Sequence, residues 1–192
     1  MGVRINVSNF TDRQGQPHDR YVVVGTSGSG KTTVSANLAA EFGLEHIELD
    51  ALHWLEDWTE RPPKEFRVLV DRETREGRWV VDGNYSAARD IVWPRADAIV
   101  WLDLPFHVVM ARVIKRTLGR ILTGRTLWSG NQTSFRRAFL SRDSIILWAA
   151  QTWKRRRKSY ARLLYESECD HLDIFRVRSA SMGDVDVRRA AD

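Results

Sequence analysis

The amino-acid sequence predicts a three-layer α/β/α fold, with a mostly parallel five-stranded sheet and a basic helical lid. Three observations predict it. Short runs of consecutive apolar residues recur without polar alternation, as in strands buried on both faces of a parallel sheet. Between them, apolar residues return every three or four positions, the period of helices covering such a sheet. The runs end in Gly or Asp, at the carboxyl ends where open α/β sheets present ligand-binding groups.

The elements follow in order. Residues 1–20 are mostly polar, and Val3, Ile5 and Val7 alternate, so they read as an N-terminal arm or a short edge strand. Tyr21–Val24 is the first firm strand, followed by a helix from Lys31 to Phe42 with Val34, Leu38 and Phe42 on one face. His46–Asp50 is a second strand, and a loop with Trp54, Trp58, Pro62 and Pro63 leads to a helix carrying Phe66, Leu69 and Val70. Trp79–Gly83 and Ala98–Leu102 are the third and fourth strands, with one helix starting near Ser86 and a long one after Pro105. His171–Val177 is the fifth strand, and Ser181 or Asp184 is placed to cap a terminal helix. The 192 residues, 43% of them hydrophobic, suffice for one core and not for two large ones.

Composition narrows the setting. Cys169 is the only cysteine, which excludes an internal disulfide and fits a reducing cytoplasm. No Cys/His spacing suits zinc, no repeat is present, and the first twenty residues lack the apolar run of a signal peptide or membrane span. A cytoplasmic protein without a membrane partner is expected, as a monomer or homodimer. The net charge of +5 is unevenly spread. Between Arg112 and Arg162, fourteen lysines and arginines face one acid, Asp143. This stretch reads either as a phosphate-gathering lid or as a nucleic-acid surface.

Gly25-Thr26-Ser27-Gly28-Ser29-Gly30-Lys31-Thr32 fits G-x-x-x-x-G-K-[ST] between an apolar strand and a periodic helix. That is the phosphate loop of a P-loop NTPase, whose N–H groups face phosphate oxygens. Gly25, Ser27, Gly28, Ser29, Gly30, Lys31, Thr32 and Thr33 are the candidate nucleotide-binding residues, with ATP and Mg2+ as cofactors. Lys31 reaches the β- and γ-phosphates, and the Thr32 hydroxyl ligates Mg2+. Acids close the neighbouring strands: Glu48 and Asp50, Asp82, and Asp103. In an extended segment Glu48 and Asp50 share a face, one near the metal and the other on an acceptor hydroxyl. Asp82 ends a buried strand, where an acid needs a cation or a hydrogen bond. Each also has an ordinary reading as a cap or turn residue, the one preferred for Asp103. Metal candidates are thus Thr32, Glu48 and Asp82, and catalytic candidates Lys31, Asp50 and Asp82.

Arg112 and Arg116 lie one turn apart on the helix after Pro105, and aligned arginines imply anions beside them. Trp54 and Trp58, in the loop after Asp50, are candidate walls of an acceptor pocket. The run Lys154–Lys158 points around its helix and is expected to be mostly solvated.

These motifs resemble the adenylate kinase-like and shikimate kinase-like P-loop kinases, most of all the bacterial proteins named DNA topology modulation proteins. The likeness spans about 25–178. It rests on the phosphate loop, Glu48-Leu49-Asp50-Ala51-Leu52-His53-Trp54, Val80-Val81-Asp82-Gly83-Asn84-Tyr85, Trp101-Leu102-Asp103-Leu104-Pro105, the Arg112/Arg116 helix and Ser141-Arg142-Asp143. It implies a kinase domain over 21–192, with an acceptor-side segment at 51–77 and a lid at 120–144. It also implies phosphate-holding roles for Arg112, Arg116 and Arg142. Where adenylate kinases have Phe-Pro-Arg after Asp-Gly, this chain has Asn84-Tyr85-Ser86. The arginine that grips a nucleotide acceptor is missing, with Arg89 as its only stand-in, and Asn84 and Tyr85 join the acceptor-site candidates. Glu48-x-Asp50 resembles the paired acids of shikimate kinases, the second of which meets the acceptor hydroxyl. The expected activity is ATP- and Mg-dependent phosphorylation of a small hydroxylated, non-nucleotide metabolite. A nucleic-acid-associated NTPase and a nucleotide kinase are the alternatives.

Overall fold

The structure, a computed structural model, describes residues 6–123, 145–165, 169–179 and 185–190. Most of the expected lid, including Arg142, lies outside these residues, as do the candidate caps Ser181 and Asp184.

Six strands form one sheet in the order β2-β3-β1-β4-β5-β6. They are β1 (Arg20–Gly25), β2 (Glu45–Glu48), β3 (Trp79–Asp82), β4 (Ala98–Leu102), β5 (Asp173–Val177) and β6 (Val185–Arg188). The first five run parallel, and β6 is antiparallel to β5. The helices are α1 (Lys31–Phe42), α2 (Leu49–His53), α3 (Pro63–Glu73), α4 (Ser86–Val92), α5 (Phe106–Thr123) and α6 (Ile145–Leu163).

Strand alternation divides the apolar runs between two cores. Tyr21, Val23, Val80, Val100 and Phe175 face one cluster with Val34 and Leu38 of α1 and Val109 and Val113 of α5. Val22, Val24, Val81, Ile99 and Ile174 face the other, with Phe66 and Val70 of α3, Ala88 and Val92 of α4, Tyr160 of α6 and Leu164 just beyond it. Trp79 and Trp101 are both core residues at 1% exposure, as their strand positions predict. Trp153 of α6 borders the first cluster and its indole N–H reaches the Leu104 carbonyl.

Three expectations need correction. The sheet has six strands, not five, because Val185–Arg188 pairs with β5 where a helix was expected. Val185 and Val187 alternate with Asp186 and Arg188, a period of two that suits an edge strand. The second strand stops at Glu48, and Asp50 lies in the first turn of α2, so Glu48 and Asp50 do not share a face of an extended segment. Leu49 forces the turn: it is buried against Gly83, where an added Cβ would lie 2.7 Å from the Leu49 Cβ. The described part of the expected arm is neither loose nor a strand. A 3-10 turn at Val7–Asn9 seats Val7 and Phe10 in the core, and the Tyr21 hydroxyl donates to the Phe10 carbonyl at 2.5 Å.

Asp103 has the structural role expected of it, by another route than capping alone. It is buried at the end of the β4 loop and accepts from Arg176 Nε at 3.0 Å and Nη2 at 2.6 Å. Arg157 of α6 pairs with its other oxygen at 2.8 Å. Removing a buried partner leaves the other charge uncompensated. Asp103→Ala should therefore cost about 3 kcal/mol, whereas Asp186→Ala, in an exposed pair with Arg178, should cost less than about 1 kcal/mol. Urea unfolding of both variants checks this, and equal midpoints would refute it.

Candidate active site

The phosphate loop joins β1 to α1, and α5 lies directly against it. A Cβ on Gly28, which has φ 82°, would overlap the Val113 side chain and sit 3.1 Å from the Val109 carbonyl. This close approach brings two α5 arginines to the loop. Arg112 donates to the Ser29 carbonyl at 3.1 Å, and Arg116 donates to Ser27 Oγ at 3.1 Å. Lys31 folds back over the loop, its Nζ 3.4 Å from the Gly25 carbonyl and 3.5 Å from that of Thr26. Thr32 and Thr33 are exposed at the start of α1.

Burial of cations sets the electrostatics. Burial holds the Lys31 ammonium below its ordinary pKa; Asp82 and then Asp50 pull it back up, and Arg116 and Arg156 press it down. Desolvation also lowers Arg112, Arg116 and Arg156, with Asp50 opposing it at the last two. Arg156 comes from the run Lys154–Lys158. Lys154, Arg155 and Lys158 are exposed as expected, but Arg156 is half-buried and interacts electrostatically with Tyr160, Tyr85 and Asp50, and Arg157 turns to Asp103. Adjacent charges on a helix give no sequence signal of which one points inward.

The acids occupy the facing side. Asp82 lies beside β1 at Val23 and opposite Glu48 of β2. Its Oδ2 is buried without a hydrogen-bond partner, 3.7 Å from an equally unpartnered His46 Nε2. An orphaned buried carboxylate oxygen, with Glu48 on the neighbouring strand and Thr32 exposed at the start of α1, fits a hard divalent cation. Among the described residues no three His, Cys, Asp or Glu side chains cluster as a closed metal cage. A cation here would take few protein ligands and fill its shell with phosphate and water, the habit of Mg2+.

Asp50 accepts a hydrogen bond from the Tyr85 hydroxyl at 2.6 Å. Burial and then the Asp50 charge raise the Tyr85 pKa well above its ordinary value, so the phenol stays a donor. An aromatic wall continues from this pair. His53 lies 4.5 Å from Tyr85 and 4.9 Å from Trp54, ring to ring, and Trp54 is 5.6 Å from Trp58. The last contact depends on left-handed backbone at Asp57 and Trp58, φ 54° and 57°, a strained conformation for residues with side chains. Trp54 and Trp58 are half-buried, as pocket walls would be. His53, which packs on the core residue Phe66 at 5.3 Å ring to ring, joins the wall and was not foreseen as part of the site.

Asn84 and Arg89 are placed otherwise than expected. The Asn84 carboxamide is turned to the phosphate loop and bonds the backbone of Gly25. Arg89 lies over the Trp93 ring at 4.9 Å, in a crevice shared with Asn84, Tyr85 and Tyr160. Charge interactions thus link Lys31 with Asp82, Asp50, Arg116 and Arg156, while direct contacts join Tyr85 to Asp50, Arg112 to the loop, His46 to Asp82 and Tyr160 to Asn84.

No family model matches the chain. Cytidylate kinase of Pyrococcus horikoshii is 29% identical over 119 residues, covering 52% of this chain and 59% of that protein. YqaC of Bacillus subtilis, an uncharacterised protein, is 26% identical over 117 residues, covering 58% and 66%. The chain thus spans less than two thirds of either curated relative. Shikimate kinase of Acinetobacter baumannii, solved with shikimate, superposes with a TM-score of 0.51 at 17% identity over 86% of each chain. The chain therefore shares the fold of that shikimate kinase. The narrower likeness to DNA topology modulation proteins does not emerge from these matches.

Lys31→Met should cut ATP turnover by roughly 10²-fold or more while leaving far-UV circular dichroism unchanged. Because burial disfavours the ammonium, the variant should melt no lower than wild type at neutral pH. The depressed Lys31 pKa means the unfolded chain binds more protons just below 10.5, so wild-type stability gains on the variant as pH rises through that window. Turnover within about twofold of wild type would remove Lys31 from the site.

Proposed function

We propose that this protein is an ATP- and Mg2+-dependent phosphotransferase whose acceptor is a small hydroxylated, non-nucleotide metabolite. The observation that carries this reading is the 2.6 Å Tyr85–Asp50 hydrogen bond, which fixes a carboxylate across the cleft from Lys31. The kinase fold and the kinase among the curated relatives support phosphoryl transfer; the acceptor class rests on Asp50 and its surroundings.

Each residue then has a task. The loop amides and Lys31 hold the donor phosphates, and Arg112 and Arg116 exchange their loop contacts for phosphate oxygens. Thr32, Asp82 and Glu48 would hold Mg2+, which would supply charge neutralisation of the donor phosphates. Asp50 takes the acceptor hydroxyl proton as that oxygen bonds to the γ-phosphorus and the bond to the ADP oxygen breaks. Tyr85 keeps Asp50 in one orientation. Trp54, Trp58 and His53 exclude water, the competing acceptor. Arg156, on the acceptor side of the cleft, suits a substrate that carries an anionic group of its own.

A nucleotide acceptor is the second reading, favoured by the likeness to a cytidylate kinase. Against it stand Asn84 and Tyr85, both committed to protein partners where a gripping arginine would be needed. A carboxylate at the acceptor position also repels a phosphate monoester. The exposed Lys154, Arg155 and Lys158 leave a nucleic-acid-associated role as an alternative for that helix face. A cytoplasmic setting and a monomeric or homodimeric state belong to the same proposal.

Asp50→Asn should lower acceptor-dependent ADP release by roughly 10²- to 10⁴-fold and leave ATP affinity near wild type. AMP and CMP should be poor acceptors beside a panel of hydroxylated acids. Efficient nucleotide phosphorylation that survives Asp50→Asn would overturn the acceptor assignment. Arg116→Lys should recover only part of the activity lost in Arg116→Ala, since an ammonium cannot reproduce a fork across two phosphate oxygens. Full activity in the lysine variant, in the same ADP-release assay, would reduce Arg116 to surface charge.

A further inference from the structure

The β1–β3 ladder ends where Val23 faces Asp82, because Gly83 leads the chain out of the sheet. Gly25 is two residues further along β1. Its N–H and C=O still point toward the side that β3 has left, and buried backbone groups need partners. The Asn84 side chain supplies both. Its Oδ1 accepts from the Gly25 N–H at 3.2 Å, and its Nδ2 donates to the Gly25 carbonyl. The carboxamide acts as one more peptide rung, continuing β3 after the backbone has turned away.

Two further contacts link this rung to the chemistry. Tyr160, buried on α6, donates to Asn84 Oδ1 at 2.9 Å, which fixes which end of the amide faces the Gly25 N–H. The Gly25 carbonyl that accepts from Asn84 is also the oxygen nearest Lys31 Nζ. Arg156 precedes Tyr160 by four residues on the same helix and so shares its face.

We propose that Asn84 is a positioning residue for the phosphate loop. It holds Gly25 at the height that aligns the loop and Lys31, and through Tyr160 it locks that height to the seating of α6 and Arg156. Donor-side and acceptor-side cations are thereby set by one hydrogen-bonded chain. The inference rests on the nucleotide-binding reading of the loop and not on the identity of the acceptor.

The experiment uses the full chain as Asn84→Ala, Asn84→Asp, Tyr160→Phe and the double variant Asn84→Ala/Tyr160→Phe. Hydrogen-exchange mass spectrometry reads the peptide spanning Gly25 to Lys31, and an ADP titration reads the site. Asn84→Ala should speed exchange of that peptide and weaken ADP by roughly tenfold, with β4 and β5 unchanged. The double variant should lose little beyond Asn84→Ala, since Tyr160 acts through the amide. Asn84→Asp keeps the shape but sets a carboxylate against the Gly25 carbonyl. Its ADP deficit should exceed that of Asn84→Ala, because a carboxylate repels the Gly25 carbonyl whereas a methyl group does not. A merely structural defect would follow the size of the truncation and rank the two variants the other way. Unchanged loop exchange and ADP affinity in Asn84→Ala, additive losses in the double variant, or a smaller deficit in Asn84→Asp than in Asn84→Ala would each overturn the proposal. Should wild type bind no ADP while the loop exchange still responds, the nucleotide reading fails and the positioning role of Asn84 stands.

Discussion

Desolvation of cations is the constraint on which this site depends. It lowers the pKa of Lys31, Arg112, Arg116 and Arg156 alike. Asp82 and Asp50 offset part of its cost at Lys31, and carbonyl oxygens of the loop receive Lys31 and Arg112. Such an arrangement is poorly compensated alone and well compensated with a polyanion inside it. Affinity for phosphate is thus prepared by the fold before any ligand arrives.

The cluster is assembled by three elements distant in sequence. The β1–α1 loop brings Lys31, α5 presses on Gly28 and delivers two arginines, and α6 adds Arg156 from its inward face. An anchor outside the site fixes α6. Asp103 ties Arg157 of α6 to Arg176 of β5, and Arg157 and Arg176 lie over Trp153 and Trp101. The acid read from sequence as a cap thus holds the helix that carries Arg156.

The parts legible in the sequence were those carried by local pattern. The parallel strands, the phosphate loop and the burial of Trp79 and Trp101 follow from apolar runs and glycine spacing within a few residues. What escaped depends on distant partners. Asp50 sits on a helix and not a strand because Leu49 meets Gly83, thirty-four positions away. Arg156 could not be told from its charged neighbours until α6 was placed against Tyr85 and Asp50. The orphaned pair of His46 and Asp82 arises only when β2 and β3 lie side by side. Strand β6 did carry a signal, its alternating valines, which the capping residues before it obscured.

That last strand bears on how the molecule meets its own copies. A parallel sheet of strong apolar strands exposes at each margin a row of unpaired amides, a template for uncontrolled strand addition. Along β5 this margin is closed by a four-residue antiparallel segment. Asp186 is paired with Arg178, and Arg188 reaches across to the Cys169 carbonyl and Asp170. A margin this short and this charged offers a neighbouring chain little register to zip onto, so the strip that completes the sheet also ends it.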